Sequence, residues 1–213
     1  TVLTTLTVGP LEVNCYILWD GATKDASVID PGGDADKIKS LIAKERLKVR
    51  YIINTHGHFD HVGGVVALKS SLGGARIAIH KDDEILMSES HEHGVIFGVK
   101  TPVQPSPEVL LEDGQELKAG GLCLKVIHTP GHTGGGVCLL EENAGLLFTG
   151  DTLFAGSIGR TALNGGSYQV IIASIKKKIL TLADSIRVLP GHGSDSTVGR
   201  ERKTNPFLNN TAV

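Results

Sequence analysis

The segment Thr55-His56-Gly57-His58-Phe59-Asp60-His61 constrains this chain more than any other stretch of it. It follows an apolar run at 49–53 that reads as a buried strand, and it puts four groups able to hold a metal within six residues. In extended backbone, residues i, i+2 and i+4 project to one side. His56, His58 and Asp60 are therefore expected to face one cavity, with His61 turning in where the next helix begins. Imidazole and carboxylate are the donors that zinc and similar metals take.

Further donors stand where other strands are expected to end, as a site at one edge of a sheet requires. After 122–128 comes Thr129-Pro130-Gly131-His132-Thr133, after 146–149 comes Gly150-Asp151, and after 186–189 comes Pro190-Gly191-His192-Gly193. Glycine beside each donor has a mechanical reason, because backbone without Cβ turns sharply and lets a ligand approach. The chain carries 27 glycines in 213 residues, well above the typical level of ~7%, and this pattern accounts for part of the excess.

Between these motifs the chain alternates short strands and helices. Strands are expected at 2–8, 15–19, 26–30, 49–53, 76–80, 116–119, 122–128, 136–141, 146–149 and 186–189. Helices are expected after Asp34 as a cap, with Ile38, Leu41 and Ile42 on one face, and at 62–72, 81–88, 167–180 and 197–203. Residues 89–107 hold three prolines and show no period, which reads as a long loop of the kind that covers a site. Interleaved elements with hairpins among them fit a layered, mixed α/β sandwich better than a purely parallel sheet. No linker-like composition divides the chain, so one domain over 1–213 is expected.

Charge and hydropathy exclude several functions. With 21 Lys+Arg against 23 Asp+Glu, the net charge is −2, which leaves no positive excess to hold nucleic acid by counterion release. No run approaches the roughly 20 apolar residues of a membrane span, and no leader pattern opens the chain. A cytoplasmic protein acting on a small molecule, with no membrane and no protein partner evident, is the expectation. Cys15, Cys123 and Cys138 lie far apart in apolar segments and read as reduced core residues.

Taken in order, these motifs resemble the metallo-β-lactamase superfamily, nearest to its small glyoxalase II-like hydrolases. The match runs from Val8-Gly9-Pro10 through Asp30-Pro31-Gly32, the His-rich loop, Gly131-His132-Thr133, Gly150-Asp151 and Gly159-Arg160-Thr161 to Gly191-His192-Gly193 and Arg202-Lys203-Thr204-Asn205-Pro206. The resemblance implies a four-layer αββα sandwich with metals at one edge of the sheets. It implies that His56, His58 and His132 hold one metal ion, that Asp60, His61 and His192 hold a second, and that Asp151 bridges them, with Asp60 and His61 as the catalytic pair. Two divalent ions are expected, zinc first, with iron or manganese as the other candidates. Two such ions, two carboxylates and a bridging hydroxide leave about one net positive charge. Lowering the pKa of water from about 15.7 to about 7 is worth on the order of 12 kcal/mol. That apparatus suits hydrolysis of a small acyl thioester such as an S-2-hydroxyacyl glutathione.

The chain also departs from the family it resembles. Asp151 stands where antibiotic-cleaving members have cysteine, and His58 stands where flavodiiron oxygen reductases have glutamate. Ala162 follows Gly-Arg-Thr where the small subgroup usually has Asp. Full-length glyoxalase II has an additional helical domain that helps hold glutathione; with 21 residues after His192, that part of the substrate site is expected to be absent. The alternatives are a mononuclear iron persulfide dioxygenase using His56, His132 and Asp151, a lactonase or phosphodiesterase, or a metal-binding protein without turnover. Arg160 is read either as meeting a substrate carboxylate or as pinning a loop. Asp30 is read either as fixing a turn or as accepting a hydrogen bond from a ligand imidazole. His91 and His93 read as loop histidines, His80 and His128 as edge residues, and Lys176-Lys177-Lys178 as a solvated helix face.

Overall fold

The computed structural model describes residues 1–162 and 165–209. The first half contains β1 (Val2–Val8), β2 (Val13–Trp19), β3 (Asp25–Ile29), α1 (Ala35–Glu45), β4 (Lys48–Ile53), α2 (Phe59–Val62), α3 (Val65–Ser71), β5 (Arg76–His80), α4 (Glu84–Ser88), α5 (Ser90–Ile96) and β6 (Val109–Leu111). The second half contains β7 (Glu116–Ala119), β8 (Leu122–His128), β9 (Val137–Glu141), β10 (Leu146–Gly150), β11 (Leu153–Phe154), β12 (Ser157–Ile158), α6 (Tyr168–Ser174), β13 (Arg187–Pro190), β14 (Ser196–Thr197) and α7 (Val198–Thr204). One sheet has the order β1-β2-β3-β4-β5-β6 and the other β14-β13-β10-β9-β8-β7.

Alternation along the strands explains the layering. In β2, Cys15, Ile17 and Trp19 face an outer core with Ile38, Ile42, Val65 and Leu68 of the helices. Its Tyr16 and Leu18 face the opposite way and pack with Leu124, Leu139 and Phe148 of the second sheet. In β10, Phe148 enters that inner core, whereas Leu147 packs outward with Ile171, Ile175 and Ile179. Strands buried on both faces must be apolar throughout, and the result is the expected four-layer αββα sandwich.

Strand direction then decides where the functional loops collect. β3 and β4 run parallel, β10 and β13 run parallel, and β8 points the same way as β10 because both are antiparallel to β9. The C-terminal ends of β4, β8, β10 and β13 carry the His-rich loop, His132, Asp151 and His192. Asn14 and Tyr16 of β2 cross between the sheets: Asn14 Nδ2 donates to the Pro190 and Gly193 carbonyls, and the Tyr16 hydroxyl donates to Pro190 at 2.7 Å.

Four expectations need correction. Residues 89–107 are not all loop, because 90–96 form α5. Its buried positions are Ser90 and Gly94, small residues that give no apolar period, while Val95, Ile96 and Phe97 are exposed. The helix expected at 62–72 starts earlier, at Phe59, and breaks at Gly63-Gly64, where a Cβ would collide with the carbonyls of Gly32 and Pro31. Asp34 stands at the N-cap of α1 but makes no capping bond; its carboxylate accepts from Gly9 N and Lys37 Nζ instead. Cys15 and Cys138 are free and buried, but Cys123 is only partly buried.

Candidate metal centre

The strand β4 ends at Ile53, and His56 and His58 follow in the loop before His58 becomes the N-cap of α2. Asp60 and His61 therefore belong to the first turn of a helix, not to an extended segment with His56 and His58. The turn swings Asp60 away from the two preceding imidazoles. Three donor sets result, each with its atoms within 4.8 Å of one another: His56, His58 and His132; Asp60, His61 and His192; and His56, His61 and Asp151. All seven residues singled out from the sequence thus meet at one place.

Hydrogen bonds on the far side of the rings assign the tautomers. His132 Nδ1 donates to the carbonyl of Arg160 at 2.7 Å. His56 Nδ1 lies 3.1 Å from Thr55 Oγ1, and that hydroxyl donates to Asp30 Oδ2 at 2.7 Å. Asp30 Oδ2 is also 3.1 Å from His61 Nδ1, while Asp30 Oδ1 accepts from Thr55 N. With Nδ1 engaged in this way, His56 and His132 turn Nε2 toward the centre as an acceptor, the side from which imidazole binds a metal; His61 also turns Nε2 inward, toward Asp60 and Asp151, whose charges favour its protonated form. His132 Nε2 stands 3.0 Å from His58 Nδ1.

The buried atoms at the centre lack protein partners. His56 Nε2, His61 Nε2 and Asp151 Oδ1 are inaccessible to solvent and make no hydrogen bond. A buried polar atom without a partner is costly, and three that converge with four further donors fit a cation. Asp151 joins the sets: Oδ1 is 3.4 Å from His61 Nε2, and Oδ2 is 3.7 Å from His132 Nε2 and 3.8 Å from His192 Nε2. Asp60 Oδ2 lies 3.3 Å from His192 Nε2. Glycine is required beside these groups, since a Cβ on Gly191 would strike Asp151 Oδ1 and His61 Cε1.

Electrostatics divide the centre. Burial, aided by neighbouring imidazoles, pushes His56 well below its usual pKa and His58 down to about 4. Burial acts on His61 in the same direction, but Asp151, Asp60 and Asp30 outweigh it and hold its pKa well above the ordinary value. His192 is also raised, because its bond to Asp60 and the charge of Asp151 overcome burial. Burial would raise Asp60 and Asp151, yet the adjacent imidazolium of His61 keeps both low.

Other candidates fall into place around this floor. Asp30 is the carboxylate that holds His61. Arg160 lends its backbone carbonyl to His132, and its side chain lines the cavity over the centre. The ion pairs made by arginines among the described residues belong to Arg50, Arg187 and Arg202, so the loop-pinning salt bridge is not formed. His91 and His93 lie on α5, not in a loop, and His93 lines the cavity. Lys178 is not simply solvated: its Nζ donates to Asp113 and to the His128 carbonyl.

His80 and His128 are more than edge residues. They stack across the two sheets at 4.0 Å and 12°, with Asp82 close enough to complete a third-party donor group. Parallel rings cannot both aim in-plane lone pairs at one ion between them. His128 Nε2 donates to the Gly134 carbonyl, and His80 Nδ1 accepts from Asp82 N. This stack is a join between sheets.

The residue that sequence reasoning missed is Asp83. Buried beside the centre, it accepts from Gly57 N, Thr133 Oγ1 and Gly135 N at 2.7–2.9 Å. It therefore ties the loop of His56 and His58 to the loop of His132. No motif surrounds it, and the pairing spans 50 residues, so nothing local announces it.

This fold and these loops are those of a known family. The chain belongs to the metallo-β-lactamase superfamily, whose family model matches residues 8–192. Within it, the chain is 38% identical over 208 residues to the hydroxyacylglutathione hydrolase GloC of Haemophilus influenzae, covering 95% of each chain. Among solved structures it resembles TTHA1623 in a di-iron-bound form, with 36% identity, a TM-score of 0.89, and coverage of 96% of this chain and 100% of that one. It also resembles the B3 metallo-β-lactamase BLEG-1, with 34% identity, a TM-score of 0.91, and coverage of 98% and 100%. No helix among the described residues is long and apolar enough to cross a membrane.

Proposed function

We propose that the chain is a metal-dependent hydrolase of glyoxalase II type that cleaves a small acyl thioester, such as an S-2-hydroxyacyl glutathione. The observation that carries this reading is that two donor sets, with Asp151 between them, meet at the floor of one cavity of about 920 Å³, where His58, Asp60, His132, Asp151 and His192 line the wall and His56 and His61 lie buried behind them. The similarity to a hydroxyacylglutathione hydrolase over nearly the whole chain supports it. His56, His58 and His132 would hold one divalent ion and Asp60, His61 and His192 the other, with Asp151 shared. Zinc is the first candidate, then iron or manganese. Bound there, such ions supply Lewis acidity, which lets water ionise near neutral pH and polarises a carbonyl.

The chain's own groups do the rest. Asp60, kept ionised by His61 and His192, accepts a hydrogen bond from the attacking water and orients it. Asp30 holds the His61 ring, so the catalytic pair Asp60 and His61 keeps its direction. The Arg160 guanidinium, open to the cavity, meets an anionic group of the substrate. Water adds its oxygen to the acyl carbon and the C–S bond breaks, giving a carboxylic acid and a thiol. A thiolate leaves without needing a proton first, so no dedicated general acid is required.

The test is release of free thiol from an S-2-hydroxyacyl glutathione by metal-replete protein, followed with a thiol reagent. Release that stops on chelation and returns with metal is expected. No release would sink the reading. One iron per chain with oxygen uptake on glutathione persulfide would replace it with the dioxygenase alternative.

A further inference from the structure

The wall of the cavity over the centre is largely apolar, with one cationic point. The first half of the chain contributes Leu11, Phe59, Leu86, Ile96 and Phe97, while the second contributes Phe154, Ala155, Ile158 and Ala162 and, just past β12, Arg160. Apart from Asp60 and Asp151, the described lining residues include no carboxylate, and Arg160 is the one guanidinium or ammonium among them. Glutathione carries two carboxylates and an ammonium. One arginine can meet a single carboxylate, and the lining offers the ammonium no separate anionic partner.

The apolar side is open and large. Leu11, Ile96 and Phe97 are 43%, 77% and 58% exposed, and contiguous apolar surface at the mouth of a site marks what the site binds. This side is also coupled to the centre. Phe97 stacks on Phe59 with ring centroids 5.2 Å apart and planes at 22°, and Phe59 stands between His58 and Asp60 in sequence. A group resting on Phe97 therefore lies next to the reacting end of the cavity.

We propose that this side seats an apolar acyl chain, so that the preferred substrates are medium-chain acyl thioesters whose thiol portion carries one anionic group toward Arg160. This inference rests on the reading of the centre as a thioester hydrolase. It departs from that reading in the acyl group, which is an alkyl chain in place of a small polar 2-hydroxyacyl group.

Two measurements on the metal-replete full chain test it. The first is kcat/KM for S-acyl thioesters of one singly anionic thiol, N-acetylcysteine, from acetyl to octanoyl. The second is calorimetric binding of the product carboxylates acetate, butyrate, hexanoate and octanoate, which needs no turnover. A fully buried methylene gives about fourfold and a half-buried one about twofold, so octanoyl is expected to exceed acetyl by about 30- to 100-fold in both. Ile96→Ser, at a position that packs little, and Phe97→Asp should each cut that ratio to about tenfold or less. If thioesters are cleaved but the ratio is flat or falls with length, the acyl seat is wrong and the hydrolase reading survives. If octanoate binds tightly but no thioester of any length releases thiol, the seat survives and the hydrolase reading fails, and with it the substrate class. A dimer in light scattering that Phe97→Asp dissociates, together with a flat ratio, would assign this face to a second copy of the chain and overturn the proposal.

Discussion

The two donor triads share one cavity floor but are assembled from different chemistry. His56, His58 and His132 are three imidazoles from two loops, with His56 and His58 kept from protonating by burial and by the imidazoles around them. Asp60, His61 and His192 form a mixed set in which carboxylates hold protons on the imidazoles. In the first set a cation meets two imidazoles, His56 and His58, whose protonated forms are disfavoured. In the second it must displace protons that the carboxylates attract. Asp151 touches both sets, so it is where the two behaviours meet.

The largest effect should come from that residue. Asp151→Asn removes the charge common to both sets, and kcat/KM for thioester hydrolysis is expected to fall on the order of 10³-fold, with fewer than two metals per chain by elemental analysis. A loss under tenfold with two metals retained would break the view that one carboxylate joins the triads.

Next comes pH. His61 and His192 have raised pKa values, so in the metal-free protein they contribute stability that is present at low pH and lost as pH rises through those values. A metal at the second triad competes with the same protons. Its affinity should fall about tenfold per pH unit for each proton displaced, or about 100-fold between pH 8 and pH 6 for one proton. The first triad should change less over that range, because His58 titrates only near pH 4. Calorimetric metal titrations in buffers of different ionisation enthalpy count the protons released. Equal release at the two steps would erase the distinction.

The partners behind the rings give a smaller effect. Asp30→Asn should weaken both sets by about 10- to 100-fold, since Asp30 supports His61 directly and His56 through Thr55. Thr55→Val should weaken only the first set, toward the lower end of that range. Competition with a chromophoric chelator distinguishes the two outcomes. Smallest is Arg160→Ala, which keeps the carbonyl that orients His132. KM for anionic thioesters should rise about tenfold while kcat and metal content hold. A fall in metal content would place Arg160 in the centre's support instead.

The donors were legible because each sits in a short glycine-containing motif that follows an apolar strand. Strand direction was legible to the extent that interleaved elements and hairpins imply a layered sandwich. Helix α5 was hidden because its buried positions are Ser90 and Gly94 and its apolar residues face solvent, the reverse of the usual amphipathic pattern. The early start of α2 was hidden because the His-rich loop is polar at every second position, which mimics extended backbone. His80 and His128 looked like two separate strand ends, since a stack between sheets leaves no local trace.

The identity of the seven donors, their order, and the sandwich that carries them follow from residue types and spacing, because metal donors and the glycines beside them are local chemistry. Which donors come within reach of one another, which ring nitrogen each presents, and which groups carry protons were decided by tertiary structure. Those properties depend on Asp30, Asp83 and Asp151 meeting residues up to 90 positions away in sequence, and on burial that no single segment produces alone. The apolar side of the cavity belongs with them, for it exists only where Leu11, Leu86 and the end of α5 close on the same floor.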